Sequence, residues 1–294
     1  MKIIYSIGDR LSCNLQAMDV LQYLSGIKIA GYASISSSYI QTIDWNLDAI
    51  KLDKTKISKL YYDVEAYAPD LVIVDAEPIL AKVANFLNIK VISISGLHAI
   101  DGIQLEFSQK TKYKNIIKKA KNILRNLKVE DRYVYSPFGD LYADPPLNEG
   151  YEWVSCTLPY SNTNGNIIII PDKPRIGFIN RLLRSAGYNF SLSNINMMTN
   201  DSVVFSSGES SILSNALERG NYILLSPSLN DPEAVFNASV CSEYGLGIDL
   251  GKVEILGRYA LNIIKIPEKI QKVKFHKKNK TIADIIGEQD ARSV

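Results

Sequence analysis

The chain has 294 residues, of which 46% are hydrophobic, and a formal net charge of +2. This length allows two domains of ordinary size, and the balanced bulk charge argues neither for nor against a nucleic-acid partner. Three cysteines and two histidines lie far apart, so their spacing predicts neither a zinc site nor a disulfide framework. No signal peptide and no membrane-length apolar run is recognised, and we expect a cytoplasmic protein, either soluble or peripheral to a membrane.

The first half alternates short apolar runs with helical patterns. Apolar runs bounded by turn residues are typical of strands buried on both faces of a parallel sheet. The predicted strands are Lys2 to Ile7, Lys28 to Ser34, Asp70 to Asp75 and Lys90 to Ser95. The predicted helices are Asn14 to Leu24, Ile57 to Tyr67 and Ile79 to Leu87. This order predicts right-handed βαβ units, and therefore a doubly wound α/β sheet.

A long basic helix is predicted from Ser108 to Leu127. Residues at three-and-four spacing form an apolar face, namely Ile116, Ile117, Ala120, Ile123, Leu124 and Leu127. The rest of its surface carries Lys110, Lys112, Lys114, Lys118, Lys119, Lys121, Arg125 and Lys128. This rim is either an ordinary solvated face or a surface that meets anionic lipid headgroups. No aromatic platform accompanies it, so no nucleic acid is expected as a partner.

The pattern restarts after a segment rich in Pro, Gly, Asn and Tyr, residues 133–165, which we interpret as the connection between two domains. Strands are then predicted at Asn166 to Asp172, Ser202 to Ser206 and Tyr222 to Ser226, with helices at Ile176 to Ser185, Ser210 to Leu217 and Glu233 to Tyr244. The predicted domains are 1–150 and 151–294. Their sheets are expected to face a shared cleft, and the C-terminal tail either crosses back to the first domain or forms a frayed end.

The turn "SSGESS" follows an apolar strand and opens a helix. Unpaired N–H groups and the helix dipole make such a turn a possible anion site, and Gly208 would let an anion approach the backbone closely. The alternative is an ordinary helix cap in which Ser207 or Ser210 satisfies free N–H groups. The segment "NDPEAVFNA" that follows a further strand favours the ligand over the cap.

The order of elements from Ser202 to Gly251 resembles the carboxy-terminal domain of GT-B fold glycosyltransferases. The resemblance is to the group that includes UDP-glycosyltransferases and the peptidoglycan N-acetylglucosaminyl transferase. It implies two Rossmann-like domains, the first for the acceptor and the second for the donor. The matching positions are Gly208, Ser211, Ala216, Leu217, Gly220, Asp231, Asn237 and Ala238, with "YGLGIDL" as the close. In the first half, "PDLVIVDAEPILAKVANFLNIKVISIS" is similar to the family segment that delivers an acidic residue from a buried strand.

The resemblance implies that backbone N–H groups at Gly208, Glu209, Ser210 and Ser211 hold the diphosphate of a nucleotide sugar, expected to be a UDP-sugar. Asn215 stands where the family has a glutamate for the ribose, Ser207 where a histidine touches phosphate, and Glu209 where a glycine is usual. Asp231 and Glu233 are candidates for holding sugar hydroxyls, with Asn237 beside them; as residues alone, Asp231, Pro232 and Glu233 equally fit an ordinary helix start.

The general base is expected from the first domain, at the carboxyl ends of its strands. We rank Asp9 and His98 together, with Glu77 behind them and Asp75 beside it. A lone histidine is more often structural than catalytic, and the usual histidine after the first strand is absent.

The resemblance implies a glycosyltransferase that moves a sugar to a hydroxyl acceptor, with inversion and without a metal or other cofactor. A lipid-linked acceptor at the inner face of the membrane is one option. The alternative is a non-catalytic GT-B-like protein that binds a nucleotide sugar or a partner subunit. A nucleotide-sugar epimerase would require paired carboxylates at the anomeric centre. A Rossmann dehydrogenase is disfavoured, because "SIGDRLSCN" lacks the Gly-x-Gly-x-x-Gly pattern.

Overall fold

The fold was analysed in a computed structural model. It describes residues 1–7, 28–34, 48–52, 57–104, 107–136, 146–154, 167–169, 190–192, 203–228, 230–250 and 280–291. The chain forms two compact units. The first consists of Met1–Asp140, Asp144–Cys156 and Lys277–Val294, and the second of Leu141–Ala143 and Thr157–His276. The predicted limits of the two domains, 1–150 and 151–294, stay a prediction.

The first unit is built on a seven-stranded sheet in the order β3-β2-β1-β4-β5-β6-β7, with every described pair parallel. Its strands are β1 (Lys2–Ile7), β2 (Lys28–Ser34), β3 (Asp48–Leu52), β4 (Leu71–Val74), β5 (Lys90–Ser95), β6 (Asp131–Tyr135) and β7 (Tyr151–Val154). Strand order reverses between β1 and β4, since the chain returns past β1 after β3. In doubly wound sheets ligands bind outside the carboxyl ends of the strands at such a reversal.

Helices cover both faces of this sheet. The described helices are α1 (Ile57–Tyr67), α2 (Pro78–Phe86), α3 (His98–Gly102), α4 (Phe107–Lys112), α5 (Lys114–Leu124) and the C-terminal α8 (Ile282–Ala291). One core, on one face of the sheet, joins Leu60 and Val64 of α1 and Leu80 and Val83 of α2 to strand residues including Ile4. The other joins Ile282, Ile285 and Ile286 of α8 to strand residues including Ile3, Tyr5 and Ile92. The apolar runs are thus buried on both faces, as a parallel sheet requires.

The second unit is built on a five-stranded parallel sheet in the order β12-β11-β10-β8-β9. Its strands are β8 (Ile167–Ile169), β9 (Phe190–Leu192), β10 (Val203–Ser206), β11 (Tyr222–Leu225) and β12 (Gly247–Asp249). The helices within the described ranges of this unit are α6 (Ser210–Glu218), between β10 and β11, and α7 (Pro232–Glu243), between β11 and β12. Strand order reverses between β8 and β10, so the turn after β10 lies at the reversal of this sheet.

Three details differ from the sequence-based expectations. The segment interpreted as a connection contains β6 and β7, whose tyrosines and short length hide the strand pattern. The single helix predicted from Ser108 to Leu127 is two helices, because Tyr113 interrupts it and is buried instead of continuing the basic rim. Ile123, placed on the apolar face, is 41% exposed. The helices predicted at 14–24 and 176–185 lie outside the described residues.

Candidate functional site

The turn at the reversal of the second sheet begins where β10 ends. Gly208 has a φ of +105°, a conformation that L side chains rarely adopt. A methyl group at this position would lie 2.8 Å from the carbonyl oxygen of Ala234 in α7. The Gly208 N–H donates to Ser206 Oγ at 3.0 Å. The sequence therefore requires glycine here both for the backbone conformation and for the close approach of helix α7.

Helix α7 is joined to this turn by two side chains one helical turn apart. Glu233 Oε1 accepts hydrogen bonds from the Ser210 N–H at 3.2 Å and from Ser210 Oγ at 2.9 Å. Asn237 Nδ2 donates to the Gly208 carbonyl at 2.8 Å and to Ser210 Oγ at 3.1 Å. Spacing of four residues places Glu233 and Asn237 on the same face of α7, which is why both meet the turn. Together these contacts fix the start of α6.

Glu209 turns its carboxylate back onto the same loop. It accepts hydrogen bonds from the hydroxyls of Ser207 and, at 3.4 Å, Ser206. Two carboxylates, those of Glu209 and Glu233, therefore contact the turn. Two of the four N–H groups predicted to hold a diphosphate, at Gly208 and Ser210, already have protein acceptors. The backbone of Ser211 lies in the first turn of α6, and its side chain lies outside the described residues.

The other predicted donor residues lie on the same two helices. Asp231 is the N-cap of α7, where its Oδ1 accepts from the N–H groups of Glu233 at 3.1 Å and Ala234 at 3.3 Å. Asp231 therefore makes the contacts of an ordinary helix start, which was the alternative interpretation of the segment Asp231 to Glu233. Asn215 is buried on α6, with 3% of its surface exposed. The turn thus brings Ser207, Gly208, Glu209, Ser210, Glu233 and Asn237 together by direct contacts. The roles assigned to Asn215 and Asp231 stay predictions.

Asn237 has a feature that the sequence did not reveal. Its side chain is fully buried, and within the described part of the chain its Oδ1 has no hydrogen-bond donor. The orientation of the amide is set by the Gly208 carbonyl, because only the NH₂ group can donate to that oxygen. The Oδ1 atom therefore lacks a donor because the contact with the Gly208 carbonyl fixes which side of the amide carries the NH₂ group. The spacing of Glu233 and Asn237 was the available sequence signal for this arrangement.

Glu77 follows β4, at the reversal of the first sheet. Its two carboxylate oxygens accept from the N–H groups of Ile79 at 3.1 Å and Leu80 at 2.6 Å, so Glu77 caps α2. The preceding Asp75 donates its backbone N–H to Ser6 Oγ at 3.0 Å. Glu77 and Asp75 share the carboxyl edge of the sheet with His98. Asp9, the remaining candidate base, comes two residues after β1 in the sequence and lies outside the described residues.

His98 opens α3 just after β5 and is fully buried. The Ser93 hydroxyl donates to the Val74 carbonyl at 3.1 Å and lies 2.8 Å from His98 Nε2. With its hydrogen used in this way, Ser93 accepts from His98, so Nε2 carries the ring proton and Nδ1 is a free acceptor. Among the described residues nothing donates to Nδ1. Burial, followed by the charge of Arg132, lowers the pKa of His98 from 6.5 to about 3, and the ring is neutral at physiological pH.

Tyr151 of β7 packs edge-on against His98, with 5.6 Å between ring centroids. Its hydroxyl donates to Asp101 at 2.8 Å, and Asp101 also pairs with Lys121 at 3.3 Å. β7 lies in a segment whose composition indicated a connection between domains, so this neighbour of His98 was not predicted.

Two further findings concern the described residues. They include no group of three or more histidine, cysteine or acidic side chains arranged to hold a metal ion. None of the helices in these ranges is both long and apolar enough to cross a bilayer.

Comparison by sequence matches part of the chain to a known protein family. The sequence profile of glycosyl transferase family 1 matches residues 4–139. No protein of curated function matches the sequence.

Solved structures are similar over almost the whole chain. A glycosyltransferase of Streptomyces sp. SF2575, SsfS6, complexed with thymidine diphosphate, is 14% identical, with a TM-score of 0.61 and 99% of each chain covered. Spinosyn forosaminyltransferase SpnP is 13% identical, with a TM-score of 0.60 over 99% of each chain. Spinosyn rhamnosyltransferase SpnG complexed with spinosyn aglycone is 14% identical, with a TM-score of 0.51, over 89% of this chain and 88% of its own.

These matches confirm the fold class: two parallel-sheet α/β units of the GT-B type. They also confirm the resemblance to GT-B glycosyltransferases, by sequence for residues 4–139 and by fold for the rest, and they support glycosyltransferase as the enzyme class.

Proposed function

We propose that this protein is a glycosyltransferase that moves a sugar from a nucleoside diphosphate sugar to a hydroxyl acceptor. The observation that carries the proposal is the turn at Gly208. It lies at the reversal of a doubly wound sheet, directly at the start of α6, and it is closely joined to α7. The family match of residues 4–139 and the fold of nucleotide-binding and aglycone-binding relatives support the same function.

The donor is proposed to bind at this turn. The dipole of α6 contributes roughly half a positive charge at Ser210, which favours a diphosphate. The approach of the diphosphate depends on the absence of a side chain at Gly208 and on the neighbouring residues Ser207, Glu209 and Ser211. The sugar and ribose hydroxyls are assigned to Asn215, Asp231, Glu233 and Asn237, whose oxygens accept hydrogen bonds well. The choice between uridine and thymidine diphosphate sugars falls to the turnover assay described below, since SsfS6 carries thymidine diphosphate.

The general base is proposed to be Asp9 or His98. Each comes after a strand of the first sheet in the sequence, and His98 offers a neutral ring with an acceptor nitrogen at Nδ1. Glu77 is the third candidate, although both of its oxygens cap α2. We propose direct displacement with inversion and without a divalent metal. In that reaction the N-terminus of α6 balances the charge of the leaving diphosphate.

A cytoplasmic protein at the inner face of a membrane is a further part of this proposal. Residues 107–128 contain no acidic residue, and their exposed cations include Lys110, Lys118 and Arg125. Phe86 is 77% exposed, and the adjacent Asn85 donates to the Lys128 carbonyl at 2.7 Å. An exposed aromatic ring thus lies beside the end of the basic segment. Each cation near an anionic surface adds about 1 kcal/mol of attraction.

Co-sedimentation with vesicles tests this contact. Binding to vesicles rich in phosphatidylglycerol, little binding to pure phosphatidylcholine, and a loss in the Lys118→Glu, Lys119→Glu double variant are expected. Equal binding of the variant would reject the surface. A lipid-linked acceptor is the substrate class that such a contact would serve.

Turnover tests the enzymatic proposal. Purified protein is incubated with uridine and thymidine diphosphate sugars and candidate hydroxyl acceptors, and released nucleoside diphosphate is measured. Asp9→Asn and His98→Gln identify the base, and Gly208→Trp blocks the donor turn. Stabilisation by a nucleotide without any turnover would favour the alternative, a non-catalytic GT-B-like protein that binds a nucleotide sugar or a partner subunit. The two carboxylates at the turn are the observation that favours this alternative.

A further inference from the structure

The N-terminus of α6 already holds a negative charge that comes from the protein itself. Glu233 is buried, with 7% of its surface exposed, and its Oε1 accepts from both the N–H and the hydroxyl of Ser210. These are the two groups of Ser210 that can donate to an anion. A helix N-terminus favours an acidic side chain for the same reason that it favours a phosphate. Glu233 and a bound diphosphate would therefore compete for the same donors.

The second feature is the fully buried Oδ1 of Asn237. Its Nδ2 is fixed by the Gly208 carbonyl and by Ser210 Oγ, and within the described residues no donor reaches the oxygen. A buried acceptor without a donor is destabilising, so this side of the turn favours a ligand that supplies a hydroxyl. A nucleotide sugar supplies both kinds of group: phosphate oxygens that accept from Ser210 and hydroxyls that donate to an amide oxygen.

We propose that Glu233 is an internal anion that must leave Ser210 before the diphosphate of the donor can bind. The inference rests on the proposed function, and it gives Glu233 a role as a residue that sets affinity and specificity for the charge of the ligand. When the nucleotide departs, Glu233 again accepts hydrogen bonds from Ser210. Its competition for these donors weakens the binding of a released nucleoside diphosphate. Glu209, which contacts Ser206 and Ser207 instead, repels the ligand without competing for Ser210.

This role makes an unusual prediction for a residue of a binding site: removal of its charge strengthens binding. Glu233→Gln keeps an amide oxygen that can accept from Ser210, so the cap of α6 and the fold are retained. The neutral amide releases Ser210 more easily and does not repel the diphosphate. Because a hydrogen bond to a charged group is stronger than one to a neutral group by about 1 kcal/mol or more, thymidine diphosphate is expected to bind about tenfold more tightly.

Isothermal titration of the full chain with thymidine diphosphate, uridine diphosphate and free thymidine tests the proposal. Glu243→Gln is the matched control, since it removes the same charge from the exposed far end of α7. It is expected to change affinity by less than about twofold, because an exposed charge is screened by salt. Glu209→Gln is expected to give a smaller gain than Glu233→Gln. Thymidine affinity is expected to be equal in the wild type and in Glu233→Gln.

The outcomes separate this inference from the proposed function. A gain for the diphosphates alone in Glu233→Gln supports the internal anion. Diphosphate binding by the wild type that is equal or weaker in Glu233→Gln overturns it and leaves the glycosyltransferase proposal standing. A gain that extends to thymidine also overturns it, because the effect would not depend on the phosphate charge. If neither protein binds either diphosphate, both the inference and the donor site are rejected.

Discussion

Replacement of Gly208 by alanine tests the geometry on which the site depends. The residue has a φ of +105°, and an added Cβ would lie 2.8 Å from Ala234 O and 3.2 Å from Ala234 Cα. Both of those atoms belong to the backbone of α7, so the clash can be relieved only by movement of the helix or of the turn. Movement of α7 would in turn lengthen the hydrogen bonds that Glu233 and Asn237 make with the turn.

The expected loss in the free energy of unfolding is the sum of the backbone strain and the weakening of the hydrogen bonds. An unfavourable backbone conformation costs about 1–3 kcal/mol, and weakening of a buried hydrogen bond to a charged group adds about 1.5–3 kcal/mol. We therefore expect Gly208→Ala to lower the free energy of unfolding by about 3–5 kcal/mol. Gly245 is the matched control, since its φ is +67° and no atom lies within 4 Å of an added Cβ. Gly245→Ala is expected to cost only about 1–2 kcal/mol.

Urea unfolding followed by far-ultraviolet circular dichroism measures both variants. Tryptophan fluorescence alone is unsuitable, because both tryptophans, Trp45 and Trp153, lie outside the second unit. Hydrogen exchange of peptides from residues 203–250 locates the loss. Equal losses in the two variants would refute the argument, because the contact with Ala234 would then contribute nothing beyond the positive φ.

Four shorter predictions concern other sites. Burial lowers the pKa of His98 to about 3, so the folded protein binds fewer protons than the unfolded chain below pH 6.5. Stability should fall as the pH is lowered from about 6.5 towards 3, more steeply than in His98→Gln by about 1.4 kcal/mol per pH unit; parallel urea midpoints across this range would contradict the assignment. Glu77→Asn retains a helix cap and should keep stability within about 0.5 kcal/mol and full turnover, whereas a catalytic Glu77 would lose turnover. Gly287→Ala, in a helix with open space at the added methyl, should raise the thermal midpoint through about 0.5–1 kcal/mol of stability. Burial raises the pKa of the Cys241 thiol to about 12, so its peptide should stay unalkylated at pH 8 until urea is added.

Strands whose burial is the same on both faces could be predicted from the sequence. β4 and β5 are apolar runs buried on both faces, and a residue of either strand meets apolar neighbours whichever way it points. Their limits were predicted within one residue. β6 and β7 mix tyrosine, arginine and glutamate with valine, so no run or alternation distinguishes them from a loop. Only tertiary pairing makes them strands, since β6 pairs with β5 and β7 pairs with β6.

The candidate site shows the same limit. Its position could be predicted, because a glycine turn between a buried strand and a helix is a local pattern. The partners of each group could not. Whether the Ser210 N–H faces a ligand or Glu233 depends on a side chain 23 residues later in the chain. Whether the His98 ring is exposed or buried, and which of its nitrogens carries the proton, depends on Ser93, Val74 and Tyr151, which lie on three different strands.

The sequence by itself thus determined the α/β class, the parallel strands and the place of the turn, because burial periodicity and glycine conformation are properties of a few neighbouring residues. The tertiary structure alone decided which acceptors occupy the N-terminus of α6. It also decided that Asn237 Oδ1 lacks a donor among the described residues and which ring nitrogen of His98 carries the proton. Those properties depend on distances of about 3 Å between groups that are remote in sequence, and hydrogen bonding and desolvation act only at such distances.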